Sequence, residues 1–173
     1  MGAGNIVAVV ADAGPLIHLA EIDALSFLRI FAPLHVPDAV WDETVGRGRL
    51  LEDELLEIDV VQRHELLQAD VDQWIQRENL EHLHKGELES LFLCQIIAVP
   101  IVLTDDLAVR DAAKRLSLTP VGSLGVVLKA YRDGLISHSD AERHFRDLQD
   151  VSSLFITNVI VELALERLRL FVG

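Results

Sequence analysis

The sequence predicts an α/β fold with a parallel sheet, and three stretches carry that prediction. In PIVLTDDLAVRDAAKRL, Pro100 to Leu116, an apolar run of strand length (Ile101, Val102, Leu103) ends in Thr104, Asp105 and Asp106. Apolar residues then recur at helical spacing: Leu107, Val109, Ala112, Ala113 and Leu116. A β-branched run followed by such a pattern reads as one strand-to-helix step of a parallel sheet. Near the start, Asn5 to Ala11 (NIVAVVA) is nearly all apolar, as a strand covered on both faces should be. Asp12 ends it, and Ala13-Gly14-Pro15 turns into a helix with Pro15 suited to its first position. Last, Thr119-Pro120-Val121 reads as a short strand leading into a helix that Ser123 starts and Gly134 closes.

The elements between follow in order. Ala24 to Phe31 reads as a short helix and Leu34 to Val36 as a short strand. Pro37-Asp38 opens a helix, AVWDETV, with Asp38 as a cap and Gly46 and Gly48 as breakers. Ile58 to Val61 reads as a strand, and His64 to Glu78 as an amphipathic helix through Leu67, Val71, Trp74 and Ile75. A further helix begins near Gly86, with Glu87 and Glu89 in its first turn. Ser139 with Glu142 three residues on has capping-box spacing for a helix to about Leu148. The final helix, Thr157 to Phe171, is apolar around most of its circumference, so it is expected to be buried or to pack on another subunit.

A chain of 173 residues suits one domain, 1–173, and can bury a substantial core. No apolar run approaches the roughly 20 residues of a membrane span, and the start lacks the basic region of a signal peptide. The single cysteine, Cys94, reads as a small buried hydrophobe. These features point to a cytoplasmic protein. The net charge of −13, from 28 acidic and 15 basic residues, argues against a sequence-independent duplex-DNA binder. It leaves room for an enzyme that meets nucleic acid at one local, metal-charged site. His64, His82 and His84 lack the spacing of a zinc site and read as surface histidines.

Carboxylates recur where strands end and helices begin. Asp12 follows the first strand, Glu43 lies on an early helix, Glu87 opens another, and Asp105 and Asp106 follow a central strand. Each has a plain structural alternative: Asp12 can cap a helix, Glu43 can be a solvated helix residue, and Glu87 can meet a helix dipole. Gathered without a cation they would repel, at roughly 4 kcal/mol per pair about 4 Å apart in an effective dielectric of about 20. A hard divalent ion such as Mg²⁺ or Mn²⁺ removes that penalty. It can also polarise a phosphoryl oxygen and acidify water.

The order of motifs resembles a known family. VVADAGPLIHLAEIDALSFL, VPDAVWDETV, KGELESLFLCQ and VLTDDLAVRDAAKRLSLTPVGSLGVVLKAYRDGLIS together resemble the PIN domain, and within it the toxin-like proteins of bacteria and archaea. The resemblance covers about residues 5–136, with C-terminal helices over about 137–173. It implies a three-layer α/β/α sandwich with a mostly parallel sheet, a homodimer, and a nuclease site dependent on Mg²⁺ or Mn²⁺ that acts on RNA. Residue by residue, it implies catalytic acids at Asp12, Glu43, Glu87 and Asp106. The metal falls to Asp12, Glu87 and Asp106, with Glu43 as a further ligand or a water-orienting base and Asp105 as a neighbouring ligand. Many relatives are toxins of toxin–antitoxin pairs, blocked by a small antitoxin protein. Two departures stand out. Ala13-Gly14 occupies the place where many PIN domains carry Ser or Thr, and the acidic stretch from about Leu50 to Leu83 has no clear counterpart.

Two functional expectations follow. In the first, the chain is a metal-dependent ribonuclease acting on single-stranded or structured RNA, with Arg110 and Ser123 binding substrate. For Arg110 the alternative is an ion pair with Asp106 or Glu87, and for Ser123 it is plain helix capping. In the second, it is a PIN-like module that binds nucleic acid or a protein partner with little hydrolysis. The acidic surface and the apolar last helix favour the module; intact acids at four positions favour the nuclease.

Overall fold

The computed structural model describes residues 6–171. Five parallel strands form one sheet: β1 Val7–Ala11, β2 Phe31–Pro37, β3 Val61–His64, β4 Ile101–Leu103 and β5 Thr119–Val121. Their order is β3-β2-β1-β4-β5. The chain therefore builds outward from β1 in one direction, then returns to β1 and builds outward in the other. Helices cover both faces, giving the α/β/α sandwich.

Alternation along the strands divides the core. Val9, Ala11, Leu34, Val36 and Leu103 face one layer, formed with α1 Ala13–Glu21, α7 Ser123–Arg132, α8 His138–Asp150 and α9 Asn158–Leu170. Val10 and Val102 face the other, formed with α4 Gln68–Glu78, α5 Lys85–Ile96 and α6 Leu107–Arg115. Strands buried on both faces need no polar residues, which is why β1 and β4 read as continuous apolar runs. Cys94 is buried in the second layer, and burial pushes its thiol up to about 12. Among the described residues no helix is long and apolar enough to cross a membrane.

Several boundaries differ from the sequence reading. Asn5 lies outside the described residues. Helix α1 starts at Ala13, so Pro15 is its third residue, and Asp12 is the cap. Ala24 to Phe31 is a 3-10 turn over Leu25–Ile30, and β2 is longer than expected. Helix α2, Asp38–Trp41, widens into a π-helical turn at Asp42–Gly46, and α3, Glu52–Leu56, was not foreseen. Strand β3 runs to His64, which stands in register with Pro37 of β2, and His64 Nε2 lies 2.8 Å from His35 Nδ1. Helix α8 is capped by Ser137 with Asp140, two residues before the Ser139 spacing suggested. Helix α9 buries Val161, Leu165 and Leu168 on the core but leaves Val159, Ile160, Leu163 and Leu170 open to solvent.

Candidate active site

In an open parallel sheet the crevice lies beyond the carboxyl ends of the strands, where the order reverses. Here that point is between β1 and β4, and Asp12 and Thr104 are the first residues past those two strands. The Asp12 amide donates to the Leu103 carbonyl at 2.9 Å, which extends the pairing one step beyond the strands. The Asp12 carboxylate accepts from the Ala13 amide at 2.8 Å and from the Thr104 hydroxyl at 3.1 Å. Thr104, itself fully buried, accepts from the Asp106 amide at 3.3 Å. One hydroxyl thus ties the Asp12 side chain to the backbone of Asp106.

Helix α5 brings the glutamates. Its Ser90 hydroxyl donates to the Gly86 carbonyl at 2.8 Å and lies 3.5 Å from the Ala11 carbonyl, which seats the helix start beside the end of β1. Buried Glu89 accepts from the Ala39 amide at 3.0 Å, capping α2 from α5. The π-helical turn after α2 carries Glu43, with the buried Thr44 hydroxyl donating to the Val40 carbonyl at 2.8 Å. Gly86 makes the approach possible: a Cβ there would stand 2.9 Å from Glu43 Oε2. Glu87 Oε2 accepts from the His84 amide at 2.8 Å, one helix-end bond on a half-buried side chain.

The electrostatics follow from this packing. Burial pushes the Asp12 carboxyl from 3.8 up to about 7, helped by the neighbouring charges of Glu87 and Glu43 and opposed by the Ala13 and Thr104 hydrogen bonds. A carboxylate that is buried, short of donors and near two others is a place for a cation. All the side-chain donors are oxygens, which suits a hard divalent ion, so the residues fit one by charge and chemistry. Their present rotamers are not closed on it. Among the described residues, no three His, Cys, Asp or Glu side chains are grouped to hold a metal.

The remaining expected site residues divide. Asp106 is exposed and caps α6 through the Val109 amide at 3.0 Å. Asp105 is engaged by α1 and α7. Its carboxylate accepts from the Ser123 amide at 2.7 Å and the Ser123 hydroxyl at 2.6 Å, and meets His18 Nδ1 at 2.7 Å. Ser123 is fully buried, and its amide and hydroxyl both serve Asp105. Arg110 Nη1 donates to the Thr104 carbonyl at 3.2 Å, and among the described residues it closes no ion pair with Asp106 or Glu87. Sequence reasoning missed His18, the bridging role of Thr104, and Glu89 as the tie between α5 and α2. Of these only Thr104, directly before two aspartates, carried a usable signal.

No curated protein and no solved structure matched the chain. A PIN-domain family model matches residues 8–169, which, among the described residues, takes in every strand but the first residue of β1 and every α-helix but the last residue of α9. PIN domains are generally nucleases and generally use divalent metal ions. The fold, the acids at the switch point and the extent of that match agree: this chain belongs to the PIN-domain family.

Proposed function

We propose that the chain is a Mg²⁺- or Mn²⁺-dependent endoribonuclease. The observation that carries this reading is Asp12: a buried carboxylate with a raised pKa, facing Glu87 and Glu43 at the sheet's switch point. Asp12, Glu87 and Asp106 would hold the ion, after Glu87 and Asp106 release the amides they now cap. When bound, such an ion polarises a phosphoryl oxygen and lowers the pKa of water. Glu43 Oε2 would take the proton of the attacking water as a general base. Thr104 orients Asp12 and fixes the start of the loop bearing Asp106. Arg110 would contact a phosphate oxygen from the turn after Asp106. Asp105 acts as a positioning residue, holding the start of α7 and His18 in place.

The resemblance of the motifs to toxin-like PIN proteins supports a setting in a toxin–antitoxin pair, with a small antitoxin as partner and a homodimer as the assembly. A second reading, a PIN-like binding module with little hydrolysis, is favoured by one observation: the acids are not grouped for a metal as they stand. Calorimetric titration with Mn²⁺, on wild type and Asp106→Asn, alongside cleavage of single-stranded RNA, separates the two. The nuclease reading expects saturable binding that Asp106→Asn abolishes, together with metal-dependent cleavage. Absence of specific binding would leave the module ahead.

A further inference from the structure

At the β2–β3 margin of the sheet two imidazoles face each other. His35 of β2 is buried, and His64, the last residue of β3, is half-buried. His64 stands level with Pro37, two residues on from His35, so strand alternation puts both side chains on one face. Their ring centroids are 4.8 Å apart with planes at 58°, and His35 Nδ1 lies 2.8 Å from His64 Nε2. The sequence read His64 as a surface histidine; the fold gives it a partner 29 positions away.

A neutral imidazole has one N–H and one bare nitrogen, so a single hydrogen bond joins the rings as they stand. The far nitrogen of each ring has no protein partner among the described residues and is not sealed from water. That leaves a place for the shared proton. If it moves to the far nitrogen of its own ring, both facing nitrogens carry free lone pairs and no net proton is released. Burial holds both groups below their ordinary 6.5, and the one ionisable neighbour that contributes is His64 acting on His35. Both rings are therefore uncharged at neutral pH, the form that ligates a metal.

Spacing and donor type say which ion fits. Two nitrogens bound at about 2.05 Å and at a right angle stand about 2.9 Å apart, against about 3.3 Å at a tetrahedral angle. The observed 2.8 Å matches the right angle. We infer that His35 Nδ1 and His64 Nε2 form a site for a borderline divalent ion of square-planar or tetragonal preference, Cu²⁺ or Ni²⁺. Among the described residues no third His, Cys, Asp or Glu joins them, so water completes the coordination. The ion would tie the edge strand β3 to β2 at Pro37, directly before α2 and the turn that carries Glu43. Imidazole nitrogens suit such ions, whereas the carboxylates of the acid site suit Mg²⁺ or Mn²⁺. The two sites are chemically separate, and this one does not rest on the nuclease reading.

The test uses the full chain without a purification tag, with Cu²⁺ and Ni²⁺ as the probes. At one equivalent of Cu²⁺, electron paramagnetic resonance should show hyperfine splitting from two nitrogens, falling to one in His64→Gln. Ni²⁺ at about 100 times its Kd should raise the Tm of wild type by about 5–10 °C. At the same concentration His64→Gln should gain no more than about half of that, as a tenfold loss of affinity requires. Circular dichroism verifies folding, and the shift given by Mn²⁺ should be equal in the two proteins. The double variant His82→Ala, His84→Ala should keep the two-nitrogen signal. Loss of the signal there assigns the ion to those exposed histidines and overturns the site. A two-nitrogen signal that survives His64→Gln overturns it too. A wild-type signal from oxygen ligands alone overturns it whether or not His64→Gln folds. RNA cleavage, present or absent, bears on none of these outcomes.

Discussion

Asp12 and Asp105 follow neighbouring strands of one sheet, yet they are opposite kinds of carboxylate. Asp105 has three donors around it: the Ser123 amide, the Ser123 hydroxyl and His18. Asp12 has two, Ala13 and Thr104, and two other acids nearby that raise its pKa with burial. A satisfied carboxylate stabilises what it touches. A buried one left short of donors among like charges is a liability in the metal-free protein, and a cation would turn that liability into a binding site. The position within the fold makes a carboxylate available; its donors decide which use it has.

The largest effect expected from breaking this contrast is on cleavage. Asp12→Asn and Asp106→Asn should each reduce metal-dependent RNA cleavage by at least about 100-fold, since a divalent ion contributes several kcal/mol to such a barrier. Asp105→Asn should leave measurable activity, because Asp105 holds α7 and touches no other acid of the site. Rate measurements on the three variants at matched Mn²⁺ check the ordering. Equal loss in all three would erase the distinction between the two aspartates.

Stability against pH gives the next effect. The Asp12 carboxyl binds its proton more tightly folded than unfolded, since its pKa rises from 3.8 to about 7. Its favourable contribution is full below pH 3.8 and is lost as pH rises through about 7. The span corresponds to about 4 kcal/mol, from 1.36 kcal/mol per pKa unit. The His35–His64 pair has the opposite sign: burial lowers both pKa values, so its contribution is present above 6.5 and lost as pH falls. Subtracting the profile of Asp12→Asn cancels the histidines. Urea unfolding of wild type and Asp12→Asn without metal should therefore diverge as pH rises from 4 to 8, with the variant the more stable at pH 8. Saturating Mn²⁺ should close the gap.

Asp105→Asn should behave in the contrary sense. Removing a carboxylate from an amide, a hydroxyl and a histidine is expected to destabilise the fold by about 1–3 kcal/mol at neutral pH. Mn²⁺ should not restore it. The same urea series measures this, and a stabilised Asp105→Asn would place that residue with Asp12.

The sequence conveyed the strands and the acids but not this distinction. β1 and β4 were legible because burial on both faces leaves only apolar residues, and the acids were legible because polar residues end such runs. Asp105 and Asp106 are adjacent and chemically identical, and both stood among the expected metal ligands. What separates them is His18, 87 positions away, and Ser123, 18 positions away, and no local pattern encodes either. Ser123 itself was read as a residue that could cap a helix or bind an anion. In the fold the anion it binds is the chain's own Asp105. The final helix was legible as strongly apolar, but only its packing against α7 and α8 shows that one face is covered and the other open. The α8 cap moved from Ser139 to Ser137 because two serines lie two residues apart and each has an acid three residues on.

The smallest effect on the fold is the sharpest test of the site. Gly86 is the second residue of α5, and a Cβ there would stand 2.9 Å from Glu43 Oε2 and 3.4 Å from Val40 Cγ2. The glutamate carboxylate is the end of a flexible side chain, so it can move aside. Alanine is also favoured over glycine in a helix by about 1 kcal/mol. Gly86→Ala should therefore keep stability within about 1 kcal/mol of wild type while driving Glu43 away from Asp12. If Glu43 acts at the metal site, Mn²⁺ affinity should fall about tenfold, the size usual when a supporting group is displaced. The raised pKa of Asp12 should also relax downward, because one of its three causes has moved off. Calorimetry and the pH-dependent unfolding series read the two consequences separately. Unchanged Mn²⁺ affinity in a folded Gly86→Ala protein would remove Glu43 from the site and leave Asp12, Glu87 and Asp106 to hold the ion alone.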